Sequence, residues 1–266
     1  MGEFVNSEAG QRAMAEAQPV APLALAQNLA YDAWEAEGSE RYRLARQALS
    51  VDERCSDAWL ILAEEERTWR KQRRLFEKAV AAAERACADE GWLDDPDGGS
   101  EGRLGGVGSR SYLRAHMALA RCLMDGGYHS ESAAHYETML RRDPDDHLGA
   151  RCEVIQLYHF LDNLAALRAL LAQYDGDDFC ILAYERLWLA LVDHNTEDVD
   201  RLASVATDSN PHVMAYLTGQ SQIPDRLPDS IVVGGEDEAA SYAGMSVRWW
   251  LDNPRTVAWL RAQAAK

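Results

Sequence analysis

One stretch of the chain, residues 111–145, has the pattern of two helices joined by a tight turn. In its first half, apolar residues recur at three- and four-residue steps, as the buried stripe of one helix requires. Gly126 and Gly127 predict the end of that helix, because glycine adopts the left-handed conformation of a helix C-cap at little cost. Ser130 is the expected N-cap of a second helix, and Asp143-Pro144 predicts its end, since proline disfavours helical backbone in the residue before it. The stretch therefore predicts a helical hairpin.

The same pattern returns about every 34 residues. Tyr136 at a large second-helix position corresponds to Leu170, and the small Ser132 corresponds to Ala166. Two further hairpins are expected after the first, over residues 147–173 and 179–206, and Asn210-Pro211 ends the last of them. Going backwards, the pattern predicts a first helix from Ser56 and, before it, an N-terminal hairpin over residues 23–50.

These hairpins resemble tetratricopeptide repeats over about residues 41–211. The resemblance implies an all-α fold, a right-handed superhelix of four to five helical hairpins that ends in a pair of capping helices. The segments AHMALARCL and HYETMLRRDPDDHLGARCEV, with the run NPHVMAYLTGQSQIPDRLPD, are similar to a family of bacterial tetratricopeptide-repeat proteins. More distantly, they resemble the suppressor-of-tumorigenicity-seven family. The resemblance implies an interaction role and no established reaction.

Three regions differ in character from the hairpins. Residues 1–18 lack a clear apolar stripe and are expected to form a disordered tail before the array over 19–211. Residues 88–110 are rich in glycine, with almost nothing to bury, and are expected to form a mobile insertion. Residues 212–266 are expected to form an extended connector followed by capping helices, in which Trp249, Trp250 and Trp259 cover the last repeat. A peptide-binding aromatic patch is the alternative for these tryptophans.

Charge and hydropathy narrow the classes of function. The chain carries 44 acidic and 27 basic residues, a net charge of −17, which disfavours direct binding to nucleic acid. No apolar run is long enough to span a bilayer, and no signal peptide is visible, so no membrane association and a cytoplasmic location are expected. The five cysteines never form a close pair and are expected to be small, partly buried helical side chains.

No catalytic signature stands out in the sequence. Gly105-Gly106-Val107-Gly108 lacks the Lys-Ser/Thr of a phosphate-binding loop. The histidines form no metal-binding pair, and the acidic residues from Asp143 to Asp146 are expected to be helix caps rather than metal ligands. The chain is therefore expected to be no enzyme and to need no metal or cofactor. An enzyme with its site between the insertion and the groove remains the alternative.

The repeat phase predicts which side chains face a concave groove. Arg114 and Arg121 are seven residues apart on one helix face, and Arg151 follows Met117 by one repeat of 34 residues. Arginines can hold a carboxylate in a bidentate fork, and flanking aromatic residues bury area at little entropic cost. The predicted partner is therefore a peptide or helix that is acidic or carries a free C-terminal carboxylate. The predicted groove residues are Glu64, Arg67, Arg114, Met117, Arg121, Arg151, Ile155, Tyr158, Tyr184 and Trp188, with Asp57 beside them.

Two alternatives remain open for this groove. The arginines could simply pair with neighbouring Asp and Glu as solvated salt bridges, each contributing about 0–1 kcal/mol. The acidic surface could instead bind a basic partner, for example as a neutraliser of a nucleic-acid-binding protein.

Overall fold

The computed structural model describes residues 21–94, 107–177, 179–195, 197–228 and 230–265. Within these ranges the regular structure is helical throughout, with thirteen α-helices and no β-strand, as the sequence predicts. The expected tail over residues 1–18 lies outside the described residues, as do residues 95–106 of the expected insertion. None of the helices in these ranges combines the length and apolarity that crossing a bilayer requires.

The chain divides into two compact units, one up to Asp145 and one from Asp146. The sequence predicts its main boundary later, after Pro211. The division falls in the connection between the third and the fourth helical hairpin. The helices of the N-terminal unit are α1 Pro22–Glu35, α2 Gly38–Val51, α3 Ser56–Glu64, α4 Trp69–Asp89, α5 Val107–Asp125 and α6 His129–Arg142.

The N-terminal unit is a series of three helical hairpins. Helices α1 and α2, α3 and α4, and α5 and α6 pack as pairs, and each first helix also contacts the first helix of the next hairpin. The first hairpin is held by small residues whose side chains are fully buried, which lets the two helices approach closely. These residues are Ala26, Ala30, Ala33, Ala45 and Ala48.

The turn between α5 and α6 depends on both of its glycines. Gly127 has a φ of +77° and caps α5, as the sequence predicts. Gly126 is required for a different reason, since a Cβ at this position would lie 2.2 Å from the Trp69 ring. The Trp69 indole lies against this turn, and its Nε1 donates a hydrogen bond to the Cys122 carbonyl at 2.8 Å.

The glycine-rich region is more ordered at its ends than the sequence suggests. Helix α4 extends to Asp89, and a short 3₁₀ helix follows at Trp92–Asp94. The expectation that this region buries almost nothing is wrong for Trp92. Its side chain is buried, its ring meets Tyr112 edge-on at 5.1 Å, and the Arg142 guanidinium lies 5.7 Å from it. Helix α5 also begins earlier than expected, at Val107.

The C-terminal unit contains two further hairpins and the terminal helices. Its helices are α7 Ala150–Phe160, α8 Leu164–Gln173, α9 Cys180–Val192, α10 Val199–Ser209, α11 Val213–Leu217, α12 Glu236–Asp252 and α13 Pro254–Ala264. Helix α9 packs against α10 and against both α12 and α13, and α12 also contacts α7. The connector expected to be extended contains a short helix, α11.

Candidate functional site

Asp57 is the centre of a buried polar cluster in the N-terminal unit. It lies in the first turn of α3, and its side chain is fully buried. Its carboxylate accepts hydrogen bonds from Gln27 on α1, and from Ser111 and Arg114 on α5. The cluster forms because the first helices of three successive hairpins pack side by side. Side chains 30 to 57 residues apart are thereby brought together.

Arg114 provides the positive charge of this cluster. Its Nε and Nη2 donate to the two oxygens of Asp57 in a bidentate pair, and Nη2 also donates to Ser111 Oγ at 3.1 Å. Burial opposes the charged form of Arg114, but the hydrogen bonds and attraction of Asp57 outweigh this effect and raise the pKa of the guanidinium. The side chain keeps 29% of its surface exposed, so it also meets solvent.

Two aromatic residues border Arg114, and the sequence analysis did not place them in the groove. The Arg114 guanidinium lies 5.4 Å from the Trp34 ring, and Trp34 stacks with Tyr31 at 6.1 Å. The Tyr31 side chain is 44% exposed. The repeat phase could have found both residues, because α1 is the first helix of its hairpin just as α3 and α5 are. We call Tyr31, Trp34, Asp57 and Arg114 the arginine cluster.

The remaining groove residues predicted for the N-terminal unit differ in exposure. Met117 is buried, whereas Arg121 is exposed on α5, two turns after Arg114. Glu64 is exposed but is the last residue of α3, where it pairs with Arg41 of α2. The assignment of Arg67 to a first helix is wrong, because α3 ends at Glu64 and Arg67 lies in the connection to α4.

Arg151 in the C-terminal unit is held by two aspartates. Its Nη1 donates to Asp146 at 2.9 Å and its Nε to Asp177 at 3.0 Å, with the Tyr174 ring 5.3 Å away. Asp146 also caps α7 by accepting hydrogen bonds from the backbone N–H groups of Ala150 and Arg151. At Arg151 the structure thus contains the salt bridges that the sequence analysis gave as the alternative to ligand binding.

The apolar and aromatic groove residues predicted for the C-terminal unit are buried. Tyr184 donates its hydroxyl hydrogen to the Asn210 carbonyl, and its ring lies 5.4 Å from Tyr242 of α12. Trp188 Nε1 donates to the carbonyl of Trp249, also on α12. Ile155 and Tyr158 are likewise buried in α7. The chain's own helix α12 therefore covers the face of α9 that the repeat phase predicts to face a partner.

Glu185 is the polar centre beneath this covering helix. Its side chain is fully buried, and it accepts hydrogen bonds from the Tyr242 hydroxyl at 3.0 Å and Trp249 Nε1 at 3.1 Å. His159 Nε2 lies 2.7 Å from its other oxygen, and the His159 ring stacks on Trp249 at 4.0 Å. A buried carboxylate with this many partners fixes the position of α12 on α9. The repeat pattern gives no sign of this centre, because Tyr242 and Trp249 come from a helix more than 50 residues away.

A buried histidine, His116, faces a half-buried one, His135, in the N-terminal unit. His116 and His135 place their Nδ1 atoms 2.9 Å apart, and the Tyr112 ring covers His116. Burial, with His135 beside it, lowers the pKa of His116 to about 3. Burial also lowers the pKa of His135. Two neutral imidazoles in this setting share one hydrogen bond.

The described residues contain no group of three or more His, Cys, Asp or Glu side chains that could hold a metal ion. The five cysteines are free, and four of them are buried, as expected. Burial raises the pKa of Cys55, Cys87 and Cys152 to about 12, so these thiols stay protonated and are poor nucleophiles at neutral pH.

Comparisons with protein-family models, with curated proteins and with solved structures returned no match.

Proposed function

We propose that this chain is a non-catalytic protein-interaction module of the tetratricopeptide-repeat type, with its hairpins arranged in a right-handed superhelix. Three hairpins of the N-terminal unit, in which α1 contacts α3 and α3 contacts α5, support this proposal. In such repeats the first helices form the concave surface, on which partners bind.

The observation that carries the proposal is the arginine cluster. Three successive first helices contribute to it, and its members include the exposed tyrosine Tyr31, the partly buried Trp34 and a guanidinium. Tyrosine, tryptophan and arginine are the residue types enriched at interaction hot spots, because each buries a large area and retains a polar group. Asp57 fixes the orientation of Arg114, so a partner would meet a guanidinium that is already positioned.

The partner that fits this surface is a peptide or helix with an acidic side chain or a free C-terminal carboxylate. Arg114 already shares its charge with Asp57, so it contributes stacking and orientation more than net charge. Arg121, seven residues further on the same helix face, adds a second, exposed guanidinium to this surface. An aromatic or aliphatic side chain of the partner would pack on Tyr31 and Trp34.

A pull-down from native lysate tests this proposal with matched variants. Tyr31→Ala/Arg121→Glu alters the proposed surface, and Tyr42→Ala/Arg46→Glu makes the same changes on exposed positions of the second helix α2. Both variants change the net charge by the same amount, so nonspecific electrostatics affects them equally. The proposal predicts that the first variant loses a partner that the second retains, with circular dichroism showing both to be folded. A partner retained by both variants would contradict it.

A second candidate is that the acidic surface binds a basic partner protein and neutralises it. Two observations favour it. Arg114 and Arg151 are both paired with aspartates, and the chain as a whole has a net charge of −17. The affinity of such a partner should fall steeply as salt rises from low to physiological concentration. It should also be unaffected by Tyr31→Ala/Arg121→Glu, which separates the two candidates.

A further inference from the structure

The C-terminal unit contains a cavity of about 200 Å³ that none of the sites above explains. It lies between the first turns of α7 and α9 and the N-terminal half of α12. Its walls are mostly apolar, and the residues that line it include Phe179, Ile181, Ile231 and Met245. Small-molecule and cofactor pockets usually measure about 300–1,000 Å³, so this cavity suits a single side chain better than a cofactor.

Glu238 lines this cavity and is the group that indicates what enters it. Its side chain is only 3% exposed. Its Oε2 accepts hydrogen bonds from Asn210 Nδ2 at 2.9 Å and from the backbone N–H of Gly234 at 2.7 Å. Its other oxygen, Oε1, is buried, and no group in the described part of the chain donates a hydrogen bond to it. Buried carboxylate oxygens normally accept a hydrogen bond, so we expect the donor to Oε1 to come from another molecule.

The rim of the cavity is acidic as well. Besides Glu238, it is lined by a second acidic residue, Glu153 of α7. A purely apolar side chain would fill the cavity but leave Oε1 unpaired. An acidic side chain would meet like charge. A cation on an apolar stem would pack its stem against the apolar walls and donate a hydrogen bond to the carboxylate.

We propose that this cavity receives one lysine side chain of a basic partner protein. The four-carbon stem would lie against Phe179, Ile181, Ile231 and Met245, and the ammonium would donate to Oε1 of Glu238. The compact ammonium suits one acceptor oxygen better than the wide guanidinium of arginine, which presents five N–H donors. Oε1 is covered by neighbouring atoms, so these atoms must shift to expose it to the ammonium while Oε2 keeps its hydrogen bonds to Asn210 and Gly234. This site lies in the other compact unit from the arginine cluster and does not depend on it, but it rests on the second candidate function above, a basic partner protein.

Methyl NMR of the full chain, labelled on Met and Ile methyl groups, tests this site with three probes. These are a capped Gly-Lys-Gly peptide, the matching peptide with norleucine in place of lysine, and n-butylammonium. We expect the lysine peptide to shift the Met245, Ile181 and Ile231 methyl signals at a concentration at least tenfold below that needed for the norleucine peptide. We also expect it to bind more tightly than n-butylammonium, because a peptide backbone adds contacts at the rim.

Glu→Gln variants, which remove a carboxylate charge and keep the shape of the side chain, test whether the preference for lysine depends on Glu238. Glu238→Gln should reduce the preference for lysine over norleucine to about twofold or less, whereas Glu236→Gln, in the same helical turn but exposed, should keep it. Equal binding of the two peptides by the wild type would overturn the proposal, since the cavity would then take an apolar anchor. If n-butylammonium binds as tightly as the lysine peptide, the ligand is a free amine, and the proposal of a protein partner is wrong. Absence of any shift would show that the cavity is no binding site.

Discussion

Asp57 and Arg114 are 57 residues apart in the chain, yet the guanidinium of Arg114 donates to both carboxylate oxygens of Asp57. The pair joins the first turn of α3 to α5 and so connects the second hairpin to the third. It also holds Arg114 against the aromatic residues of α1. The geometry on which the proposed interaction surface depends is therefore also a structural link of the N-terminal unit.

Removing the carboxylate of this pair should destabilise the N-terminal unit. We expect Asp57→Ala to lower the free energy of unfolding by about 3 kcal/mol, because Arg114 and Gln27 lose their buried partner. Urea denaturation followed by circular dichroism measures the change. The double variant Asp57→Ala/Arg114→Met should be more stable than Asp57→Ala alone, since it no longer contains a partly buried unpaired charge. A double variant less stable than the single one would contradict this account.

Tyr242 should be important for the attachment of α12. Its hydroxyl donates to Glu185 and accepts from Trp250 Nε1 at 2.9 Å, so Tyr242→Phe leaves a buried donor and a buried acceptor short of a partner. We expect a loss of about 1–3 kcal/mol in the free energy of unfolding, measured by tryptophan fluorescence in urea. Tyr42→Phe, at a position that is 51% exposed, is the control and should change stability little. Equal effects of the two substitutions would show that the buried network contributes nothing.

The close approach of Gly126 to Trp69 predicts a steric effect. Gly126→Ala would place a methyl group inside the contact distance of the indole ring and should cost about 1–3 kcal/mol. The same substitution in a Trp69→Leu background should cost clearly less, because the obstructing ring is absent. Thermal unfolding of the four proteins of this cycle gives the coupling, and additive effects would refute the steric explanation.

The histidine pair predicts that stability falls in acid. Burial lowers the pKa of His116 from 6.5 to about 3. Between about pH 6.5 and pH 3, this histidine therefore binds a proton in the unfolded chain but not in the folded chain. The free energy of unfolding is therefore unaffected by this group above pH 6.5. Below pH 6.5 it decreases as pH falls, by about 1.4 kcal/mol per pH unit. Urea unfolding at pH 7, 6 and 5 measures the slope. His116→Gln should reduce the slope. A slope unaffected by His116→Gln would contradict this assignment.

The sequence predicted the helices better than the contacts between them. Periodicity and caps predicted most helices to within a few residues, as at Asn253-Pro254, where Asn253 accepts a hydrogen bond from the N–H of Arg255 and caps α13. Such signals are local. The burial of Trp92 was missed, because its partners Tyr112 and Arg142 come from α5 and α6, beyond the glycine-rich segment.

The candidate site was predicted only in part for the same reason. Repeat phase identified Arg114 and its helix face, but it could not show that Asp57 neutralises the guanidinium. Nor could it show that α12 covers Tyr184 and Trp188, since that helix follows the repeats and has no counterpart in their pattern. Arg67 was misplaced because α3 is only nine residues long, shorter than the repeat pattern assumes.

Site-specific photo-crosslinking tests the proposed interaction surface most directly. A benzophenone amino acid replaces Tyr31 on α1 in one protein and Tyr42 on α2 in another, both at exposed positions. After irradiation in native lysate, we expect a discrete crosslinked adduct from position 31 that position 42 does not give. Arg121→Glu should diminish this adduct. An adduct from position 42 alone, or equal adducts from both positions, would contradict recognition at the first-helix face.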